Sequence, residues 1–476
     1  MNILLTGATG YVGRCLLPKL EQQGYSVRCL ARRPEKLAGR TGPSTTIMVG
    51  DASNPDDLAR ACEGMDVAFW LVHSMESGVD FERADRLAAE QFGEAANAAG
   101  VKRIIYLGGL GADNDTLSAH LRSRHEVGAI LRASGVEVLE FRASIIIGAG
   151  SFSFDLVRTL VERLPVMICP SWVATPTQPI AIADIVAYLT AAIRLEKTNS
   201  SIFEIGGPDK ESYGAIMKEY ARQRGLTRLM IPVPVLTPRL SSLWLKLVAT
   251  KYSKVGRKLI DGLKNPTVVE DSSSFETFRI RPRNLKTAVR EAEQNEDQEF
   301  SNKRWADVAD IEELPYRYGG KPAGSRLVDH RHAVVSVSPE EAFKAIECIG
   351  GHNGWYACNW LWNLRGLMDR CIGGPGMSRG RRDPEKLVTG DTLDCWHVEF
   401  CDPPRRLRLA AEMKIPGRGW LEFEVVPRDH DVTIHQTAVF DPKGLSGLIY
   451  WYAIWPLHEL VFTRMLAGIV RKSASS

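Results

Sequence analysis

Apolar strand-like runs alternate with helical stretches through the first half of the chain, which predicts an α/β fold built on a doubly wound parallel sheet. A separate antiparallel α+β domain is predicted to follow. Three observations carry this. A glycine triad sits between the first strand and the first helix. The runs at 26–30, 45–49, 67–72, 103–107 and 136–141 are nearly continuous in apolar residues, as strands buried on both faces must be. After residue 290 the composition and the periodicity both change.

The first strand is Met1-Asn-Ile-Leu-Leu5, and Thr6-Gly-Ala-Thr-Gly-Tyr-Val-Gly13 follows at once. Leu16, Leu17 and Leu20 then recur at helical spacing. In such a strand-to-helix turn Gly7 permits the tight bend, Gly10 lets a pyrophosphate reach the backbone, and Gly13 lets the helix lie close on the strand. The helix N-terminus offers free N–H groups to the anion. A bound dinucleotide is therefore expected, with Thr9, Tyr11 and Val12 among its contacts. The second strand ends in Ala31-Arg32-Arg33. An acid at that distance would hold the ribose 2′-hydroxyl of NAD; two guanidiniums suit a 2′-phosphate, so NADP is expected, with NAD the alternative. Gly50-Asp51-Ala52 ends the third strand, where Asp51 either accepts from the adenine amino group or caps the next turn. Leu71 and His73 follow the fourth strand and should border the cofactor. A helix is predicted over 80–99.

A second lobe begins at Gln178-Pro-Ile-Ala-Ile-Ala-Asp184. It contains a short strand at 201–205, a turn at Gly206-Gly-Pro-Asp209, and a helix over 213–224 that Gly225 stops. Its expected role is to contact substrate at the nicotinamide end. Residues 290–313 are rich in Glu, Asp, Gln and Asn, which reads as a solvated helix or linker, and 319–324 is a flexible Gly-rich stretch. The expected division is a dinucleotide domain over 1–290, a linker over 291–325 and a ligand-binding domain over 326–476. In the last part Ser338-Pro-Glu-Glu341 is a capping box opening a helix through Glu347. Strands are predicted at 394–401, 406–414, 420–426 and 432–440. A long helix over 445–470 closes the chain, with a kink expected at Pro456. Seven of the eleven tryptophans lie in this domain. They form either its core or the lining of an apolar pocket.

The bulk numbers narrow the function. At 476 residues two or three domains are expected, and 44% hydrophobic with 25% charged residues describes a soluble globular protein. A net charge of +3 gives no case for a nucleic-acid surface. The nine cysteines are scattered without a Cys-x-x-Cys pair, which signals no metal site and fits a reducing cytoplasm. No leader is expected ahead of the strand at Met1. The uncharged stretch 444–457 is short for a bilayer span, leaving core packing or a weak membrane-surface contact as its readings.

Thr6–Gly13, Gly50-Asp51, the strand–helix alternation and Phe203-Glu-Ile-Gly-Gly-Pro208 together resemble the extended and atypical short-chain dehydrogenase/reductases, the NmrA-like group in particular. This implies a Rossmann fold over about residues 1–290. Residues 326–476, with Tyr106-Leu-Gly-Gly-Leu-Gly111, His120-Leu-Arg-Ser-Arg124 and Trp451-Tyr-Ala-Ile-Trp-Pro456, resemble the fusion of such proteins to a START-like (helix-grip) domain. Active members carry a Ser after the fifth strand and a Tyr-x-x-x-Lys pair on the next helix. Here Gly108-Gly109 stands where the Ser belongs, and by position His120 replaces Tyr and Arg124 replaces Lys. The resemblance thus leaves two readings. In one, His120 moves the proton and Arg124 holds ribose hydroxyls, with His73 as a second candidate acid. In the other, the helix has kept its shape without its chemistry. Ser118 supplies a hydroxyl or caps the helix. The turn 143–148 after Arg142 lies along the nicotinamide carboxamide in the family, but lacks the usual Pro-Gly here. The implied function is an NADP(H)-binding oxidoreductase acting on an apolar carbonyl, quinone or enone. The alternative is a non-catalytic NAD(P)-binding sensor, regulator or assembly factor. In both, the C-terminal domain takes a small apolar ligand.

Overall fold

β1 (Asn2–Thr6) is an interior strand of a seven-stranded sheet. Around it run β2 (Ser26–Ala31), β3 (Thr45–Val49), β4 (Val67–Trp70), β5 (Arg103–Gly109), β6 (Glu137–Ala143) and β7 (Ser201–Ile205). All are parallel, in the order β7-β6-β5-β4-β1-β2-β3. The order reverses at β1, and there a ligand crevice opens beyond the carboxyl ends of the strands. This is the doubly wound sheet that the apolar runs predict. The computed structural model describes residues 1–475 except 38, 74–80, 113–116, 197–198, 234–261, 303–317, 378–379 and 429–430. The described chain divides into two compact units, one of Met1–Val161 with Val166–Asp297, the other of Glu162–Pro165 with Gln298–Ser476.

Helices cover both faces of the sheet. α1 (Tyr11–Gln22) sets Leu16, Leu17 and Leu20 against Ile3 and Leu5 on one face, together with α6 (Ile182–Ala192). On the other face Leu4, Ala68, Ile104 and Tyr106 meet α2 (Pro55–Cys62), α3 (Phe81–Ala98) and α4 (Ala119–Ala133). The expected start of α3 at Asp80 lies outside the described residues. α5 (Phe152–Arg163), α7 (Tyr213–Gln223) and α8 (Ser273–Phe278) accompany several two-residue strands and a parallel pair of five-residue strands, Val166–Pro170 with Leu229–Val233. α9 (Leu285–Asn302) occupies the start of the stretch expected to be solvated helix or linker, and Ala288, Val289 and Ala292 on it are buried. A buried ion cluster braces α4 on β6. Glu140 is fully buried between Arg132 and Arg142, with Arg142 Nε 2.7 Å from its Oε1. Gly128 makes room for it, since a Cβ there would fall 2.3 Å from Oε2 of Glu140.

The second unit is an antiparallel sheet of β8 (Lys321–Ala323), β9 (Arg326–Val335), β10 (Thr392–Leu393), β11 (Trp396–Asp402), β12 (Arg406–Ala411), β13 (Gly417–Arg428) and β14 (Asp431–Pro442), in the order β8-β9-β14-β13-β12-β11-β10. α10 (Pro339–Glu347) starts on the expected capping box. α11 (Asn359–Cys371) and α12 (Gly444–Ser473) pack with it on one sheet face. α12 continues through Pro456 without a break. At 30 residues it is, by length and composition, the one helix among the described residues able to cross a membrane, although 44% of its most apolar window is buried. Trp355, Trp362, Trp396, Trp420, Trp451 and Trp455 are all buried in the clusters of this unit, so the core reading holds for six of the seven tryptophans. The seventh, Trp360, is exposed. The opposite sheet face carries charge under cover. Arg406 faces Glu424 and Arg408 faces Glu422 across β12 and β13, and Arg408 Nε donates to Glu422 at 2.6 Å. Phe300, at the end of α9 that belongs to this unit, packs against Trp420 with the rings tilted by 56°, and the Arg326 and Arg408 guanidiniums lie over its ring.

Candidate functional site

The turn after β1 is built around absent side chains. Gly7 has φ +71°, and a Cβ there would lie 2.6 Å from the Leu71 carbonyl oxygen. At Gly13 a Cβ would lie 2.3 Å from the Gly7 carbonyl oxygen, so α1 rests directly on the turn. Gly10 is the N-cap of α1 and offers no side chain to its first N–H groups, and the first turn of α1 carries no acid. Those donors point into a cleft of about 290 Å³. This cradle fits a pyrophosphate: backbone donors at a helix start, close approach, and no competing carboxylate.

The cleft brings together Gly7, Gly10, Tyr11, Val12, Gly13, Leu71, His73, His120 and Arg124. Thr9, Arg32, Arg33, Asp51 and Ala52 do not line it. Arg32 and Arg33 are exposed just past the end of β2. Asp51 follows the cap reading in part: its Oδ1 accepts from Ser53 N and Ser53 Oγ, both at 2.9 Å, while Asn54 is the N-cap of α2. Ala52 packs against the core cluster beneath β4.

Ser118 is the N-cap of α4, accepting from Leu121 N, and its own N–H donates to Asn265. It therefore acts as a cap, and it is not among the residues lining the cleft. His120 and Arg124, one turn apart, share the helix face that meets the cleft. Gly108 and Gly109 line the cleft directly beside this face, and a Cβ at Gly109 would press on Leu121 at 2.6 Å. The glycine in place of the expected Ser thus lets α4 sit close. His73 lines the cleft with its side chain exposed there. The surrounding protein, then the charges of Arg124 and His120, lower its imidazole from the ordinary value, which weighs against the second-acid reading. Arg142 points elsewhere, pairing with Glu140, while the turn after it contributes Ser144, Ile145 and Ile146 to the cleft.

One polar group was not foreseen. Ser144, Thr177 and Thr267 form a triangle of hydroxyls with sides of 2.5, 2.6 and 2.9 Å. The Tyr213 hydroxyl reaches both threonines. A backbone bridge aligns Thr177 with Thr267, so residues ninety positions apart meet. Either oxygen can be the donor in each of the three contacts, and the Tyr213 oxygen shares hydrogen bonds with both threonines, so the four hydroxyls form one linked network at the cleft. Burial pushes the Tyr213 phenol up to about 12, so it stays protonated. Ser144, Tyr213 and Thr267 line the cleft beside Leu107, Leu110, Ile145, Phe152 and Leu263, an otherwise apolar wall. Only their meeting in space marks these residues, and no local spacing signals it. Among the described residues no group of three His, Cys, Asp or Glu is arranged to hold a metal.

Residues 7–144 match the family described as NAD(P)H-binding, and residues 322–465 match a protein family of unknown function, DUF2867. The chain is 24% identical over 239 residues to the photosystem II assembly factor Ycf39 of Cyanophora paradoxa, covering 49% of this chain and 72% of that protein. It is 29% identical over 167 residues to ceramide reductase of Caulobacter vibrioides, covering 35% and 52%, so it spans about half of that enzyme's length. Two solved structures share the fold. One is the NADPH-dependent quinone oxidoreductase QOR2 of Escherichia coli in complex with NADPH, at 20% identity and TM-score 0.51. The other is Citrobacter sp. triphenylmethane reductase complexed with NADP(H), at 15% and 0.51. Each likeness covers 61% of this chain and 99% of the other. The glycine cradle, the parallel sheet and these matches agree: the N-terminal unit has a doubly wound Rossmann-like fold, and its residues 7–144 match the NAD(P)H-binding family.

Proposed function

We propose that the chain is an NADP(H)-dependent oxidoreductase acting on an apolar carbonyl, quinone or enone and the corresponding reduced compound. The observation that carries this is the convergence on one cleft of the glycine cradle, the His120–Arg124 face of α4 and the hydroxyl triangle. The bound nicotinamide supplies or takes the hydride. The residues of this chain do the rest. Backbone N–H groups at Gly10–Val12 hold the pyrophosphate. Arg32 and Arg33, exposed at the end of β2, pair with a 2′-phosphate. Arg124 holds ribose hydroxyls. His120 exchanges the proton with the substrate oxygen. The hydroxyls of Ser144 and Thr267 share a hydrogen bond with a polar group on an otherwise apolar substrate. The leucine and isoleucine walls exclude water from its body. The sheet and long helix of the C-terminal unit support the helix-grip reading of that domain.

The test is NADPH oxidation against a panel of apolar ketones and quinones. Turnover by the wild type that falls at least about 100-fold in His120→Ala, with NADPH affinity retained, is expected for a general acid. Ser144→Ala should raise KM with little change in NADPH affinity. Tight NADPH binding without turnover of any panel member would sink the proposal. One observation favours a second reading, a non-catalytic NAD(P) sensor or assembly factor. Gly108-Gly109 leaves the chain without the hydroxyl that active relatives use, and the resemblance to an assembly factor is consistent with that.

A further inference from the structure

α11 is amphipathic in the wrong direction for a helix at home in water. Its inner face buries Trp362, Gly366 and Asp369. Its outer face shows Trp360 at 66% exposure, Leu364 at 47%, Leu367 at 52% and Met368 at 58%, and Ile372 continues it at 58%. At about 100° per residue, Leu367, Trp360, Leu364 and Met368 fall within an arc of roughly 100°. Scattered exposed apolar residues need no explanation, but a contiguous stripe on one helix marks an interaction surface. Arg370 and Arg365 stand on the two flanks of the arc, each about 110° from its centre. The helix's one acid, Asp369, is fully buried and lies 3.9 Å from the Nη1 of the partly buried Arg365, which leaves Arg370 as the exposed charge on α11. Lys414 adds another cation at the helix end, donating to the Ile372 carbonyl at 3.1 Å. The neighbouring α12 meets α11 through Phe462 against Trp362, and it too exposes apolar side chains, Ile449 and Leu457 among them.

We propose that the outer face of α11 docks on a lipid bilayer surface bearing anionic headgroups. The apolar stripe enters the boundary between headgroups and acyl chains, with the helix lying in the membrane plane. Arg370 rises from one flank to the phosphates, with its stem along the apolar surface, and Lys414 adds a second exposed cation at the helix end, while Arg365 on the other flank is partly buried beside Asp369. The charge pattern selects this occupant: an apolar stripe with exposed cations beside it and no exposed acid on the helix complements an anionic plane. The proposal is independent of whether the cleft turns over substrate.

The experiment is co-sedimentation of the full chain with sucrose-loaded vesicles of phosphatidylcholine alone or with 30% phosphatidylglycerol. The wild type is expected to partition at least about tenfold more strongly onto the anionic vesicles, and to be released by salt. Trp360→Ser combined with Met368→Ser should lower that partition by tenfold or more, and Arg370→Gln by about fivefold. Both positions are exposed, and thermal melting equal to the wild type verifies that the variants fold. Three results would overturn the proposal: no wild-type binding to anionic vesicles, unchanged binding by the folded serine variant, or a wild-type dimer that the serine variant dissolves while vesicles bind neither protein. The last outcome would assign the face to a second copy of the chain.

Discussion

Replacing Gly10 and Gly13 by alanine separates two roles that the glycine turn combines. At Gly13 the added Cβ would sit 2.3 Å from the Gly7 carbonyl oxygen and 2.8 Å from the Ala8 Cα. Both neighbours are backbone, so no side chain can swing aside, and α1 must retreat by about 1 Å to restore ordinary contact. That retreat loosens Leu16, Leu17 and Leu20, which are buried against β1. Overpacking of this kind costs about 1–3 kcal/mol. With about 2–4 °C lost per kcal/mol for a unit of this size, the melting temperature should fall by roughly 2–12 °C. At Gly10 the added Cβ meets only the Gly7 carbonyl oxygen, at 3.1 Å, and otherwise faces the cleft. Its cost is the loss of a favourable N-cap residue, of about 0.5–1 kcal/mol. Its methyl, however, enters the place proposed for the pyrophosphate. Differential scanning fluorimetry paired with NADPH fluorescence titration reads both effects. Gly13→Ala should lose stability and cofactor together. Gly10→Ala should melt within a few degrees of the wild type while binding NADPH at least about tenfold more weakly. Wild-type affinity in Gly10→Ala would refute the placement of the pyrophosphate over this residue, and wild-type melting of Gly13→Ala would refute the tight seating of the helix.

Replacing Arg32 and Arg33 together by alanine should weaken NADPH by at least about tenfold and leave NADH nearly untouched; equal losses for the two cofactors in parallel titrations would remove the 2′-phosphate role. Glu140→Gln keeps the shape but strands the Arg142 and Arg132 charges, one of them buried, and should cost about 3–5 kcal/mol, seen as a lower urea midpoint. Burial, with the charges of His435, His332 and Lys321, holds the His330 imidazole down to about 4 against the pull of Asp329, and burial also lowers His458 despite its bond to Asp329. Both stay neutral in the fold while an unfolded chain takes up protons below about pH 6.5, so stability should decline as pH falls from 6.5 toward 4. The drop from 6.5 to about 4 at His330 corresponds to about 3 kcal/mol at the acid end. His330→Gln should flatten the melting temperature over that range, and an unchanged slope would exclude His330 as its source.

The first unit was legible because parallel strands buried on both faces must be apolar throughout, and the runs at 45–49 and 103–107 advertise themselves that way. The strand ends were less so: β5 continues through Gly108-Gly109, whose residues carry no strand signal. In the second unit β9 reads Arg326-Leu-Val-Asp-His-Arg-His-Ala-Val-Val335, with polar residues on both faces, and it hides among loops because it buries charge on both sides, Arg326 on one and Asp329 on the other. α11 escaped notice for the opposite reason, since a helix with Trp360 and Met368 outside and Asp369 inside breaks the usual pattern. The cofactor turn is local and was readable residue by residue. The hydroxyl triangle joins positions 144, 177 and 267, and nothing short of the folded backbone brings them together.

The arginine–glutamate rungs between β12 and β13 bear on how the second unit avoids misassembly. Arg406 opposite Glu424 and Arg408 opposite Glu422 alternate with Leu407 opposite Phe423 and Leu409 opposite Leu421. A slip of one residue would drive both arginines into the apolar layer and turn Leu407 and Leu409 toward the glutamates. Two buried charges without partners would then cost several kcal/mol each, a large part of a domain's whole stability. A slip of two residues returns charges to the same face but leaves one rung end unmatched. The rungs act as proofreading during folding: they penalise every wrong alignment of the hairpin more than they strengthen the right one.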